Sequence, residues 1–152
     1  MKRLIILLTC LLYLANTNAQ STNPLYDSSL AKSLGADEYG MKMYVLVMLK
    51  TGPATIDNKA TVDSLFGGHM QNIGRLAKEN KLVVAGPLAK NNKNYRGIFI
   101  LNVDTIEKAK ALIDTDPAVH AGLLDADLFG WYGSAALPVY LKTHEKIEKQ
   151  HP

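Results

Sequence analysis

The chain has 152 residues, 47% of them apolar, 20% charged and 7% aromatic, with one cysteine and a formal charge of +3. These figures describe one compact domain. They exclude a collagen-like repeat, a disordered acidic chain and a disulfide-stapled miniprotein.

Lys2-Arg3 opens the sequence, the apolar run Leu4–Leu14 follows, and Ala15–Gln20 is small and polar. A charged start, a short apolar stretch and a small-residue end are the three parts of a secretory signal peptide, expected to be cleaved after Ala19. The run is too short for a spanning helix, which needs about 20 apolar residues. Cys10 lies inside the run behind Leu8 and Thr9, which argues against lipoprotein processing. The expected product is secreted or periplasmic, with no membrane segment left. Losing residues 1–19 leaves fifteen basic and fourteen acidic residues and no thiol. Disulfides, thiolate metal sites and cysteine nucleophiles are thereby excluded from the processed chain. Its near-neutral balance offers no basic stripe for nucleic acid.

Residues 20–40 are polar and turn-rich and read as a linker or loosely packed arm. Met43–Leu49, stopped by Thr51-Gly52-Pro53, reads as a strand. Apolar residues at Leu65/Phe66, Met70, Ile73 and Leu76/Ala77 predict a helix, with Gly67-Gly68 obscuring its start. Leu82–Ala85 before Gly86-Pro87 is a second strand, and Gly97–Val103 a third. Asp104-Thr105-x-Glu107 has the form of a helix cap before Ile106, Ala109 and Ile113. Asp116-Pro117 opens a short helical turn, and Leu128–Tyr132 is a fourth strand. From Pro138 the tail is charged and reads as a fraying surface helix.

The order β-α-β-β-α-β predicts an α+β, ferredoxin-like fold, a four-stranded antiparallel sheet with helices on one face. The domain is expected over residues 41–133, between the arm and a tail at 134–152. All four strands are apolar at nearly every position, although an antiparallel sheet with one wet face should alternate. Two helices cover only one face, so the other is expected to meet a second copy of the chain in a homodimer.

No phosphate loop, dinucleotide fingerprint or zinc-protease motif occurs, and no cofactor or metal is expected. His69 falls on the apolar side of the first helix. It is either a core histidine or a general acid/base, since imidazole trades a proton near neutral pH. Asp116 before Pro117 is good helix-capping chemistry, and equally a carboxylate able to orient an imidazole. Asp116 and His120 are four apart and could join His69 in a two-histidine, one-carboxylate metal site, though spacing alone is weak support. His144 and His151 lie in the polar tail. Arg96 and Tyr132 could orient an anionic ligand, or serve as a salt-bridge partner and a rim aromatic.

His69, the run Leu82-Val83-Val84-Ala85-Gly86-Pro87, Gly97 opening a strand, and Asp114-x-Asp116-Pro117-x-Val119-x-Ala121-Gly122 together resemble the YciI-like (YCII-related) family. The resemblance runs from Met43 to Tyr132. It implies a dimeric α+β barrel and a His–Asp site in a cleft beside the sheet, falling on His69 and Asp116. Some relatives act as dehydrochlorinases on chlorinated or hydroxylated aromatic breakdown products. The metal triad gains nothing from it, because familiar members carry a small residue where His120 stands. The signal segment, a long loop at 50–68 and the charged tail depart from the short cytoplasmic members.

The expected function is therefore acid/base chemistry on a small, cyclic or aromatic molecule, by elimination or isomerisation. His69 would move the proton and Asp116 orient it, with Phe99 or Trp131 walling the pocket and Arg96 also touching the substrate. The alternative is a non-enzymatic dimeric scaffold or small-ligand binder.

Overall fold

Why the elements begin where they do is visible at their caps in the computed structural model, which describes residues 23–149. The expected signal segment 1–19 with Cys10, the start of the arm, and His151 lie outside the described residues. The arm is not simply a linker. It carries helix α1 (Ser28–Leu34), whose first amides are capped by the Asp27 carboxylate and whose end is turned by Gly35 in the left-handed region. None of its residues is buried. Asp37 fastens the arm to the domain, accepting from the amide of Met41 at 3.0 Å and from the hydroxyl of Tyr132.

Strand β1 (Met41–Thr51) is followed by a short loop and helix α2 (Lys59–Lys78). The expected long loop at 50–68 is thus mostly helix. The Asn58 side chain caps it by accepting from the Thr61 amide, and Lys59 pairs with Asp63 one turn on. That polar first turn hides the start from a search for apolar spacing. Strands β2 (Leu82–Pro87) and β3 (Tyr95–Leu101) follow, then helix α3 (Ile106–Ile113), the single turn α4 (Pro117–His120) and strand β4 (Leu124–Ser134). The cap of α3 is Thr105, while Asp104 pairs with Lys108. A short 3-10 turn (Leu137–Tyr140) leads into helix α5 (Leu141–Ile147), which buries nothing.

The sheet order is β2-β3-β1-β4, antiparallel throughout, so the fold is ferredoxin-like α+β. Val45, Val47 and Leu49 of β1 alternate onto the helical face with Phe99, Leu101 and Leu124. Leu76 of α2, Ala109 and Ile113 of α3 and Ala118 of α4 complete this core. Met70, counted in the apolar spacing of α2, is exposed instead. On the other face the register lines up Val84, Ile100, Leu46 and Phe129 in one row across all four strands. None of the four is buried, and Phe129 keeps 52% of its surface exposed. The tail leaves β4 at one edge, and its Tyr140 hydroxyl donates to the Val83 carbonyl of β2 at the other.

Two close approaches between backbones set the spacing of these pieces. Gly52, just after β1, donates to the Leu123 carbonyl at 2.9 Å, and Ala54 donates to that of Gly122. A Cβ at Gly52 would lie 2.1 Å from the Gly122 carbonyl oxygen. Gly68 in α2 faces the ring of Pro117, where a Cβ would come within 2.9 Å of Cγ. The glycines that obscure the helix in the sequence include the one that lets α4 dock on it. Gly52→Ala is expected to lower stability by more than about 2 kcal/mol, since rigid backbone must move to admit the methyl. Urea denaturation checks it, and an unchanged midpoint would mean the junction is slack.

Candidate functional site

Asp116 occupies the N-cap of α4, where extended backbone turns into helix and Pro117 supplies a preset φ at the first helical position. One carboxylate oxygen, Oδ1, accepts from the amides of Ala118 at 2.9 Å and Val119 at 3.4 Å. The other, Oδ2, lies 2.6 Å from Nδ1 of His69 in the fourth turn of α2. Asp116 has no solvent exposure and His69 only 9%.

Burial by itself pushes the Asp116 carboxyl up. The hydrogen bond and charge of His69, with the two α4 amides, outweigh that and hold it below the ordinary value of 3.8. The carboxylate is therefore ionised at neutral pH and has no proton to give. It follows that Nδ1 of His69 carries the proton and donates it to Asp116. In the neutral ring the free lone pair then belongs to Nε2, which is left to accept a proton.

The ring itself is held by aromatic neighbours. Phe99 of β3 stacks on it with centroids 5.9 Å apart and planes at 22°. Phe66, one turn earlier in α2, meets it edge-on at 6.2 Å. Aromatic contacts of this kind fix a ring at little polar cost.

The other sequence candidates lie elsewhere. Trp131 pairs with Tyr44 across β1 and β4 on the face away from the helices, the ring centroids 5.7 Å apart. Strand alternation thus corrects the expectation that Trp131 walls the His69 pocket, because within one chain the sheet separates them. Arg96 is exposed at the start of β3 and shares no hydrogen bond or ion pair with the dyad. Tyr132 is engaged by Asp37, whose carboxylate holds the phenol up at about 12. His120 is exposed on α4. Among the described residues no group of three or more His, Cys, Asp or Glu side chains could hold a metal ion. Two surface grooves, one along Met70, Gly74 and Lys78 and one along Gly35, Lys81 and Lys108, are not lined by His69.

A second set of contacts escaped the sequence reading. Nη2 of Arg75 donates to Oδ1 of Asn72 at 2.7 Å and to Oγ1 of Thr115 at 2.9 Å. The Thr115 hydroxyl lies 2.6 Å from the Leu112 carbonyl, to which it donates. Asn72 stands three residues after His69 on the same buried stripe of α2, and Thr115 directly precedes Asp116. An asparagine inside an apolar stripe was the available signal.

The depressed carboxyl of Asp116 has a consequence for stability. Its contribution is complete above the unfolded value near 3.8 and is lost as pH falls through the lower folded value. Asp116→Asn should flatten this acid limb, and Asp116→Ala should cost about 2 kcal/mol by removing a cap and orphaning a buried N–H. Urea midpoints measured from neutral into the acid range read both effects. An acid limb identical to wild type in Asp116→Asn would contradict the assigned charge.

No curated protein matches the chain. A solved structure, 5-chloro-2-hydroxyhydroquinone dehydrochlorinase (TftG) from Burkholderia phenoliruptrix AC1100 in complex with 2,5-dihydroxybenzoquinone, is similar at 19% identity and a TM-score of 0.41. The match covers 59% of this chain and 92% of that one. The model of the YCII-related domain matches residues 43–131, which take in most of β1 and β4, all of β2 and β3, both main helices and the His69–Asp116 pair. This chain belongs to the YCII-related domain family.

Proposed function

We propose that this protein is a secreted, homodimeric member of the family whose His69–Asp116 pair moves a proton on a small cyclic or aromatic molecule, in an elimination or an isomerisation. The observation that carries the reading is the 2.6 Å contact between His69 Nδ1 and a carboxylate that has no solvent exposure. An ionised partner at Nδ1 gives the imidazole one orientation and one tautomer, and stabilises the imidazolium that forms when Nε2 takes a proton. In an elimination, Nε2 removes a proton from the carbon next to the one that bears the leaving group. The C–H electron pair becomes the new double bond as the leaving group departs with its own electrons. In an isomerisation the same proton returns to a different carbon. Phe66 and Phe99 keep the imidazole in an apolar setting that suits a ring-shaped substrate.

Secretion rests on the charged, apolar and small-residue segments of positions 1–19. Dimerisation rests on the row Val84, Ile100, Leu46 and Phe129, which leaves an apolar sheet face for a second copy to cover. A general base contributes about 10²–10⁴-fold in rate, so His69→Ala should lose that factor on a substrate found by metabolite screening while keeping its fold. Turnover that survives both His69→Ala and Asp116→Ala would refute this mechanism, whereas a ligand bound by the wild type without turnover would leave the ligand-binding reading in its place. For the assembly, light scattering is expected to give twice the chain mass, and Phe129→Asp the single mass. A wild-type monomer at micromolar concentration would refute the dimer.

A further inference from the structure

Asp116 is reached from α2 at two successive levels. The first is His69 itself. The second, one turn further along, is the Asn72–Arg75 pair, which grips Thr115. Thr115 is held from the other side as well, through its hydroxyl to the Leu112 carbonyl that ends α3. The amide of Asp116 donates to the Ile113 carbonyl at 2.9 Å. The peptide linking Thr115 to Asp116 therefore has little freedom to turn, and the direction of the Asp116 carboxylate depends on it. Arg75 is in turn oriented by Glu79, which accepts from Nη1 at 3.0 Å.

The geometry points to Asn72, Arg75 and Thr115 as a clamp that aims the Asp116 carboxylate at Nδ1 of His69, making them positioning residues of the site. Its catalytic meaning rests on the acid/base reading of His69, but the clamp is testable without a substrate. One guanidinium nitrogen, Nη2, joins the Asn72 amide oxygen to the Thr115 hydroxyl, while Nη1 is held by Glu79. Arg75 and Thr115 are exposed residues, so neither is needed to fill the core.

The test follows the Nδ1 proton of His69 by nitrogen-15 and proton NMR, reading the tautomer and the rate of exchange with water. Thr115→Val and Arg75→Met both remove the charge-assisted Arg75–Thr115 hydrogen bond, and each is expected to speed that exchange about tenfold. Thr115→Ser should restore the wild-type rate. Core amides, such as those of Val47 and Phe99, should keep their wild-type exchange in every variant. Wild-type Nδ1 exchange in both Thr115→Val and Arg75→Met overturns the clamp, as does an equal acceleration of the core amides, which would mark general destabilisation. Should Thr115→Val fail to fold, Arg75→Met alone decides. A failure here leaves the His69 acid/base reading intact, whereas full activity in His69→Ala removes that reading and leaves the clamp.

Discussion

An ionised carboxylate cut off from water must find its partners inside the protein, and around Asp116 much of this fold is arranged to supply them. Two come from the start of its own helical turn, the amides of Ala118 and Val119. The third comes from His69, 47 residues away along the chain. Leaving such a group unpaired costs several kcal/mol, so α4 cannot drift from α2 without a large loss. The close contact of Gly68 with Pro117 is the steric side of the same requirement. A larger residue there would hold the two elements apart and stretch the bond between them.

The sheet serves the site in a different way. Alternation along β3 sends Phe99 toward the helices, where it stacks on the imidazole, and sends Ile98 and Ile100 to the opposite face. One strand thus contributes both to the ring's setting and to the apolar row left without a helix. The same alternation along β4 separates Trp131 from His69. Site and open face are two sides of one layer, joined by the pleat of the strands.

Local signals made much of this legible from residue order alone. The strands announced themselves as apolar runs, two of them closed by the Gly-Pro pairs at 52–53 and 86–87, and Asp116-Pro117 announced a helical turn. Less legible was the beginning of α2, because a capping asparagine and a lysine–aspartate pair stabilise its first turns without any apolar periodicity. The arm was also underestimated: Asp27 and Gly35 are ordinary capping residues, but a helix that buries nothing leaves no hydrophobic pattern to read. Asn72, Arg75 and Thr115 were passed over because each is unremarkable in its own segment. Their meaning lies in a contact between segments.

Sequence by itself determined the order of the four strands and the two main helices, the ferredoxin-like fold, His69 and Asp116 as candidates, and the excess of apolar side chains on the sheet. These depend on local spacing, capping chemistry and composition, which are properties of neighbouring residues. Tertiary structure alone decided that His69 and Asp116 touch, which nitrogen carries the proton, that Phe66 and Phe99 rather than Trp131 surround the ring, and that Thr115 is gripped from α2. Each of those depends on where distant segments pack and on which way each side chain points. Distances between such segments arise from the whole core, and no single stretch of the chain encodes them.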